Sequence, residues 1–289
     1  MAGVAAAPRV LLVAHDFPPG VGSGSLRALA FARYLPMYGW RPVVLTVADE
    51  WAMNRDDALL SSVPRGLEVV RTHSFEARSA VAAAGGAPST VQAPGAVRRQ
   101  LGHLKRFPDA HVGWLPHAVA RARRFSYDVI YSTSGPFTSH VVGLALHAST
   151  RKPWVAELRD GWFEWNRAIF PDYPRWRGVL EQRLEGVVIR GAQRVVLVTT
   201  RMRDAFRAQY PELPAEHFSE VPNGFDPVQL GAAGTPASME GFEVVHAGAL
   251  YYGRSLAAFL AAARRLCAED AAFAQAFRLT LFGTFDGAA

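Results

Sequence analysis

Arg9-Val-Leu-Leu-Val-Ala14, running on to Phe17-Pro-Pro-Gly-Val-Gly-Ser-Gly-Ser-Leu-Arg27, is the stretch whose reading decides the fold. The apolar run is too short for the core of a signal peptide and reads as a buried strand. A glycine-rich turn follows it and opens a helix. Glycine lets the backbone come close to a ligand, and the free amides of a helix start favour an anion such as a diphosphate. Gly22, Ser23 and Gly24 are therefore candidate binding residues. The dinucleotide fingerprint is incomplete: counted from Gly22 the third glycine position holds Arg27, and from Gly20 it holds Ser25. No Gly-Lys-Ser/Thr follows, which excludes a P-loop. A tight strand–helix turn without a ligand explains the same residues.

The same alternation continues along the chain. Apolar runs at Arg9–Ala14, Pro42–Val47, Leu67–Arg71, Asp128–Ser132, Trp154–Leu158, Arg194–Thr199, Glu243–Ala247 and Leu279–Gly283 show little polar alternation. Strands buried on both faces look this way. Helix-period segments lie between them, at Ser25–Met37, Gly113–Phe125, Phe137–Ser149, Arg175–Arg190, Arg201–Tyr210 and Ser255–Ala268. The order predicts a doubly wound α/β fold with ligands at the carboxyl ends of the strands. Ala82 to Gly95, rich in small residues and proline, reads as a mobile loop. Pro222-Asn-Gly-Phe-Asp-Pro227 and the polar stretch after it read as a linker. The expected organisation is a domain over 1–222, a linker over 223–241, and the incomplete start of a second domain over 242–289.

The chain has 289 residues and a formal charge of +6. Between Val97 and Arg124 lie seven cations (Arg98, Arg99, Lys105, Arg106, Arg121, Arg123 and Arg124) and one acid, Asp109. The window over 97–124 suits an anionic membrane surface, and an exposed Trp114 would add an apolar contact. A solvated helix face explains the charge equally well. No nucleic-acid-binding motif is present. One cysteine, Cys267, excludes an internal disulfide and a cysteine zinc cage. The histidines show no metal-binding spacing, and Gly-x-Ser-x-Gly is absent. With no spanning run and no leader-like N-terminus, the expectation is a cytoplasmic protein, peripheral at the inner face of the membrane where the basic window engages it.

Three further stretches end strands with polar groups. Trp154-Val-Ala-Glu-Leu-Arg-Asp-Gly-Trp162 places Arg159 and Asp160 where the ligand crevice is expected, although a structural ion pair or helix cap explains them too. Ser132-Thr-Ser-Gly-Pro-Phe137 makes Ser134 and Gly135 candidates, against a plain turn and helix start. Gly248-Ala-Leu-Tyr-Tyr-Gly-Arg-Ser255 puts a glycine turn and Arg254 before a helix, which suits a phosphate; a surface arginine is the alternative.

In their order, these pieces resemble the nucleotide-sugar glycosyltransferases of retaining family 4, which have two facing Rossmann-like domains (the GT-B fold). The match runs through Phe17-Pro-Pro, Gly22-Ser-Gly24 and Arg27, then Tyr34-Leu-Pro and Gly39-Trp-Arg-Pro with Val44-Leu-Thr46. It continues through Pro108-Asp, Trp114 and Asp128-Val-Ile-Tyr-Ser-Thr-Ser-Gly-Pro136, then the Arg159-Asp160-Gly-Trp162 segment. It closes on Val221-Pro-Asn-Gly-Phe-Asp226 and His246-Ala-Gly-Ala-Leu-Tyr-Tyr-Gly-Arg254. Val21 stands where the family often has a glycine, and Ala249 where it often has a polar residue. The family's Glu-x7-Glu-like segment would come after residue 289.

The resemblance implies transfer of a sugar from a nucleotide-diphosphate donor to an acceptor hydroxyl, with retention, in polysaccharide or glycoconjugate synthesis. It implies no cofactor and no metal. Arg254 and Gly248 would face the diphosphate from the second domain, and Gly22, Ser23 and Gly24 from the first. Asp160 and Arg159 would lie near the sugar or acceptor, with Arg27, Ser134 and Gly135 on the acceptor side. A lipid-linked or glycan acceptor would bind the first domain, and a lipid-linked one would account for the basic window. The chain reads as an inactive fragment. A non-catalytic acceptor- or membrane-binding remnant is the alternative, and a nicotinamide-dependent oxidoreductase, with Asp49 and Glu50 loosely placed, a more distant one.

Overall fold

The computed structural model describes residues 6–52, 54–75, 96–169, 174–227, 241–248, 250 and 255–283. The stretches 82–95 and 231–239, read as loop and linker, lie largely or wholly outside these residues, as does Arg254. The chain divides into two compact units, the first running to Phe225 and the second taking in Asp226–Ala289.

The first unit is a seven-stranded sheet. Its strands are β1 (Arg9–Val13), β2 (Arg41–Val47), β3 (Glu68–Thr72), β4 (Val129–Thr133), β5 (Trp154–Leu158), β6 (Arg194–Leu197) and β7 (Phe218–Glu220). Its helices are α1 (Ser23–Tyr34), α2 (Ala96–Lys105), α3 (Leu115–Ala122), α4 (Thr138–Thr150), α5 (Trp162–Ile169), α6 (Arg175–Gly191) and α7 (Thr200–Gln209). Every pairing is parallel, in the order β3-β2-β1-β4-β5-β6-β7. Strand order reverses at β1, so the switch point lies between β1 and β4.

Both faces of the sheet are buried, which is why the strands read as continuous apolar runs. Leu11 and Val13 join Val43, Leu45 and Ile130 in one core. Val10, Leu12 and Ala14 join Val44, Ala28 and Leu29 of α1 in the other. The strand period of two thus supplies a separate core on each face.

Trp114 corrects one expectation. It is fully buried, and its Nε1 donates to Thr72 Oγ1 at 2.7 Å. The short 3-10 turn Val112–Trp114 swings the indole into the core, so Trp114 offers nothing to a membrane. Leu101 and Leu104 of α2 are exposed instead, by 52% and 59%. Three donors fix the position of this helix's C-terminal end. Arg177, held by Glu181 at 2.7 Å, reaches the carbonyls of His103, Arg106 and Pro108.

The second unit has β8 (Phe242–Ala247), α8 (Ala257–Glu269), α9 (Ala271–Ala276) and β9 (Phe277–Phe282), with β8 and β9 parallel. Gly248 donates to the Phe282 carbonyl at 2.8 Å. A Cβ on Gly283 would overlap the Gly248 carbonyl, so the two strand ends close backbone to backbone.

Candidate functional site

The carboxyl ends of β1, β4, β5 and β7 bring the polar residues of the first unit together. The β1 exit passes through His15 and Asp16 to Gly22, the N-cap of α1, at φ 158° and ψ 162°. Only glycine takes this conformation readily. A Cβ built on Gly22 meets nothing within 4 Å, so the backbone faces open space there. No side chain caps α1 and its first turn holds no acid. The first turn thus supplies no counter-charge of its own to the positive end of the helix dipole.

Arg159, just beyond β5, adds a full positive charge beside that helix end. A Cβ on Gly24 would stand 2.8 Å from its Nη1, and one on Gly135 2.5 Å from its Nη2. Both glycines therefore make room for the guanidinium. Ser134 grips the residue at two points. Its Oγ accepts from the Arg159 amide at 2.9 Å, and its carbonyl accepts from Nε at 2.7 Å and also from Nη2. Ser134 and Gly135 thus hold Arg159, and Gly24 gives it a wall. Asp160 is exposed beside it. Partial burial of the carboxyl holds Asp160 above its ordinary value, and the Arg159 charge offsets only part of that rise.

Arg27 has a different place. Its Nε and Nη2 donate to Glu157 Oε1 at 2.8 and 2.6 Å. Its Nη1 donates to the Pro222 carbonyl and Asn223 Oδ1, and its Nη2 to the Val221 carbonyl. A guanidinium has five N–H donors, and all five are engaged. Arg27 ties α1 to the end of β5 and to the chain leaving β7. Glu157 is fully buried and takes a third bond, from Thr133 Oγ1 to its Oε2 at 2.7 Å.

Sequence reasoning missed His15 and Asp16. His15 is buried, its Nδ1 lies 2.9 Å from Asp16 Oδ1, and its ring packs on His111 at 4.4 Å. Burial raises the Asp16 carboxyl. The His15 hydrogen bond and the charges of His15, His111 and Arg159 outweigh it and hold Asp16 below its ordinary value. The signal lay in two polar residues ending an apolar strand at the switch point. Behind the site, burial and then the Arg159 charge push His140 down to about 3, against a hydrogen bond that the ring donates to the Glu157 backbone carbonyl. His140 is a neutral core residue whose Nδ1 lies 2.9 Å from Ser132 Oγ.

A parallel sheet in this order, with an uncapped glycine-led helix and an arginine at its switch point, has its polar groups where doubly wound α/β proteins place their ligands. Residues 24–229 match the model of Glycosyltransferase Family 4, and the chain belongs to that family. The class is α/β with an all-parallel sheet in the first unit, and membership implies a nucleotide-sugar donor and a glycan acceptor in general terms. Among solved structures, the chain is similar to apo UGT2 of Phytolacca americana at 11% identity and TM-score 0.47, covering 95% of this chain and 72% of that one. It is also similar to SsfS6, a glycosyltransferase of Streptomyces sp. SF2575, at 15% identity and TM-score 0.42, covering 96% and 68%. Likenesses this distant carry no argument about chemistry. No curated protein matches the chain. Among the described residues, no helix is long and apolar enough to cross a membrane.

Proposed function

We propose that this chain works in the transfer of a sugar from a nucleotide-diphosphate donor to the hydroxyl of a lipid-linked or glycan acceptor. One observation carries the reading: Arg159 is held against the uncapped start of α1, so two positive features meet at one point of the switch-point edge. In the reaction the bond from the anomeric carbon to the diphosphate breaks and negative charge grows on the leaving oxygen. The acceptor oxygen bonds to the same carbon and passes its proton to the departing diphosphate. The amides of Ser23 and Gly24, with Arg159, stabilise the growing charge. Gly22 keeps the approach open.

Asp16 remains an acceptor-only carboxylate at neutral pH and suits a hydrogen bond from a sugar or acceptor hydroxyl. Asp160, beside Arg159, is the alternative carboxylate for that contact. Ser134 and Gly135 position Arg159, and Arg27 positions α1. Gly248 and Arg254 of the second unit belong to the donor side on the strength of the sequence resemblance. Retention, a role in polysaccharide or glycoconjugate synthesis, and a reaction without metal belong to the same reading.

The acceptor side includes contact with an anionic inner membrane face through α2. Leu101 and Leu104 supply the apolar part, and Lys105 and Arg106, with Arg121, Arg123 and Arg124, the charge.

Saturation-transfer NMR with a panel of UDP-, GDP-, dTDP- and ADP-sugars tests the reading. At least one sugar nucleotide should bind and be displaced by its own nucleoside diphosphate. Binding of none would overturn it.

A further inference from the structure

A second polar groove lies on the opposite edge of the first unit, where β1, β2 and β3 begin. It encloses about 280 Å³ and is lined by Arg9, Arg33, Arg41, Arg65, Trp40 and Glu68 among others. That is near the lower end of ligand-pocket size. Four arginines face one carboxylate. Register makes the imbalance sharper: Arg9 and Arg41 are partners on neighbouring strands, which lie about 4.8 Å apart. Like charges placed so repel, and an anion between or beside them offsets the repulsion.

The fold supplies only part of the answer. Glu68 takes Arg9 at 2.5 Å, and Arg33 donates to the Ser62 carbonyl at 2.6 Å. The guanidinium groups of Arg41 and Arg65 have no hydrogen bond or ion pair among the described residues. Both residues are exposed at the mouth of the groove. The turn that carries Pro36 and Trp40 into the lining also projects Met37 and Tyr38, which are 76% and 78% exposed.

We propose that this groove binds a phosphate-bearing anion, with Arg41 and Arg65 as its ligands. The fork of a guanidinium matches phosphate oxygens two at a time, and two forks answer the charge of one phosphate group. The site is separate from the donor and acceptor edge, since the strands of a parallel sheet all begin at one edge and end at the other. It rests on no assumption about sugar transfer. The phosphate is that of a lipid headgroup, with Met37 and Tyr38 entering the interface, or that of a soluble phosphorylated molecule. The chemistry at the two arginines is the same.

Phenylglyoxal modification of the intact chain, mapped by mass spectrometry with and without inorganic phosphate, reads each arginine separately. Phosphate should slow modification of Arg41 and Arg65 at least fivefold, while exposed Arg124 is unaffected. In calorimetry, Arg41→Gln with Arg65→Gln should weaken the phosphate binding assigned to this groove at least tenfold. Equal modification rates at Arg41 and Arg65 with and without phosphate would overturn the proposal. A second arm identifies the source. If phosphatidylglycerol vesicles pellet the wild type and several-fold less of both the arginine pair variant and Met37→Ser with Tyr38→Ser, the phosphate is a headgroup's. If neither change alters pelleting while phosphate protection stands, it is a soluble molecule's.

Discussion

Gly24 and Arg159 are built around each other: a Cβ on Gly24 would stand 2.8 Å from Arg159 Nη1 and 2.9 Å from Cζ. The glycine is there for the arginine, and the arginine brings its charge to the helix that the glycine opens. Gly24→Ala should therefore move the guanidinium, which is the far end of a flexible side chain, without disrupting the core. We expect a stability change below about 1 kcal/mol in urea unfolding. Nucleoside-diphosphate affinity should fall several-fold in calorimetry. Unchanged affinity would separate Arg159 from the ligand.

Gly22 behaves differently. At φ 158° and ψ 162° it occupies a region costly to any other residue. Gly22→Ala should cost about 1–3 kcal/mol in urea unfolding, although no neighbour lies in the way. From the sequence alone, Gly22 reads only as a point of close approach. Its conformation makes it a determinant of stability as well, and a stability change near zero would contradict that.

Arg27 and Glu157 form a buried pair, 9% and 0% exposed at the side chain. Arg27→Met leaves a buried carboxylate with its main partner gone and should cost about 3–5 kcal/mol. Adding Glu157→Gln removes the stranded charge and should recover a large part of the loss. Denaturant midpoints of the three proteins check this. A mild effect of Arg27→Met would place the residue outside the framework described.

The pH dependence has a definite sign at His140. Its folded pKa is lowered to about 3, below the ordinary histidine value of about 6.5. The unfolded chain then binds one more proton between those values. Stability falls as pH drops from about 6.5 towards 3, by up to about 1.4 kcal/mol per pH unit from this group. His140→Gln should flatten the decline relative to wild type between pH 6 and 4.5. Parallel curves would show that His140 does not carry it.

The strands were legible because both faces of the sheet are buried, which turns them into plain apolar runs such as Val10–Val13. β7 was not, because Phe218-Ser-Glu220 is three residues long and mostly polar. The helix expected over Gly113–Phe125 begins only at Leu115, since a 3-10 turn first carries Trp114 inward. Arg159 and Ser134 were legible by their place after strands. Arg27 looked like a ligand residue because nothing local reveals a partner 130 positions away. His15 and Asp16 passed unnoticed because their pairing with His111 depends on a chain crossing that only the fold supplies.

Trp114 and α2 separate two ideas that the basic window joins. Trp114→Ala should destabilise the fold by about 3–5 kcal/mol. Leu101→Ser with Leu104→Ser should leave the circular dichroism spectrum unchanged and reduce pelleting with anionic vesicles. Rising salt should weaken what remains, as exposed charges are screened beyond about 8 Å at physiological strength. Equal pelleting by this variant and wild type would remove α2 from any membrane contact.

Arg254, outside the described residues, carries an expectation drawn from the sequence resemblance. In a protein that turns over, Arg254→Ala should lower the rate on the order of a hundredfold, as for loss of a contact that strengthens in the transition state. Arg254→Lys should recover only part of it. Steady-state kinetics with the donor identified by NMR would show this, and an unchanged rate would take Arg254 out of the site.

The most direct test of the central claim is calorimetric titration of UDP and GDP into wild type and Arg159→Gln at low salt. The claim predicts saturable binding of at least one nucleotide to wild type. Arg159→Gln should bind it at least tenfold more weakly, with an unchanged circular dichroism spectrum. Equal affinity in the two proteins, or no binding of either nucleotide to wild type, would contradict it.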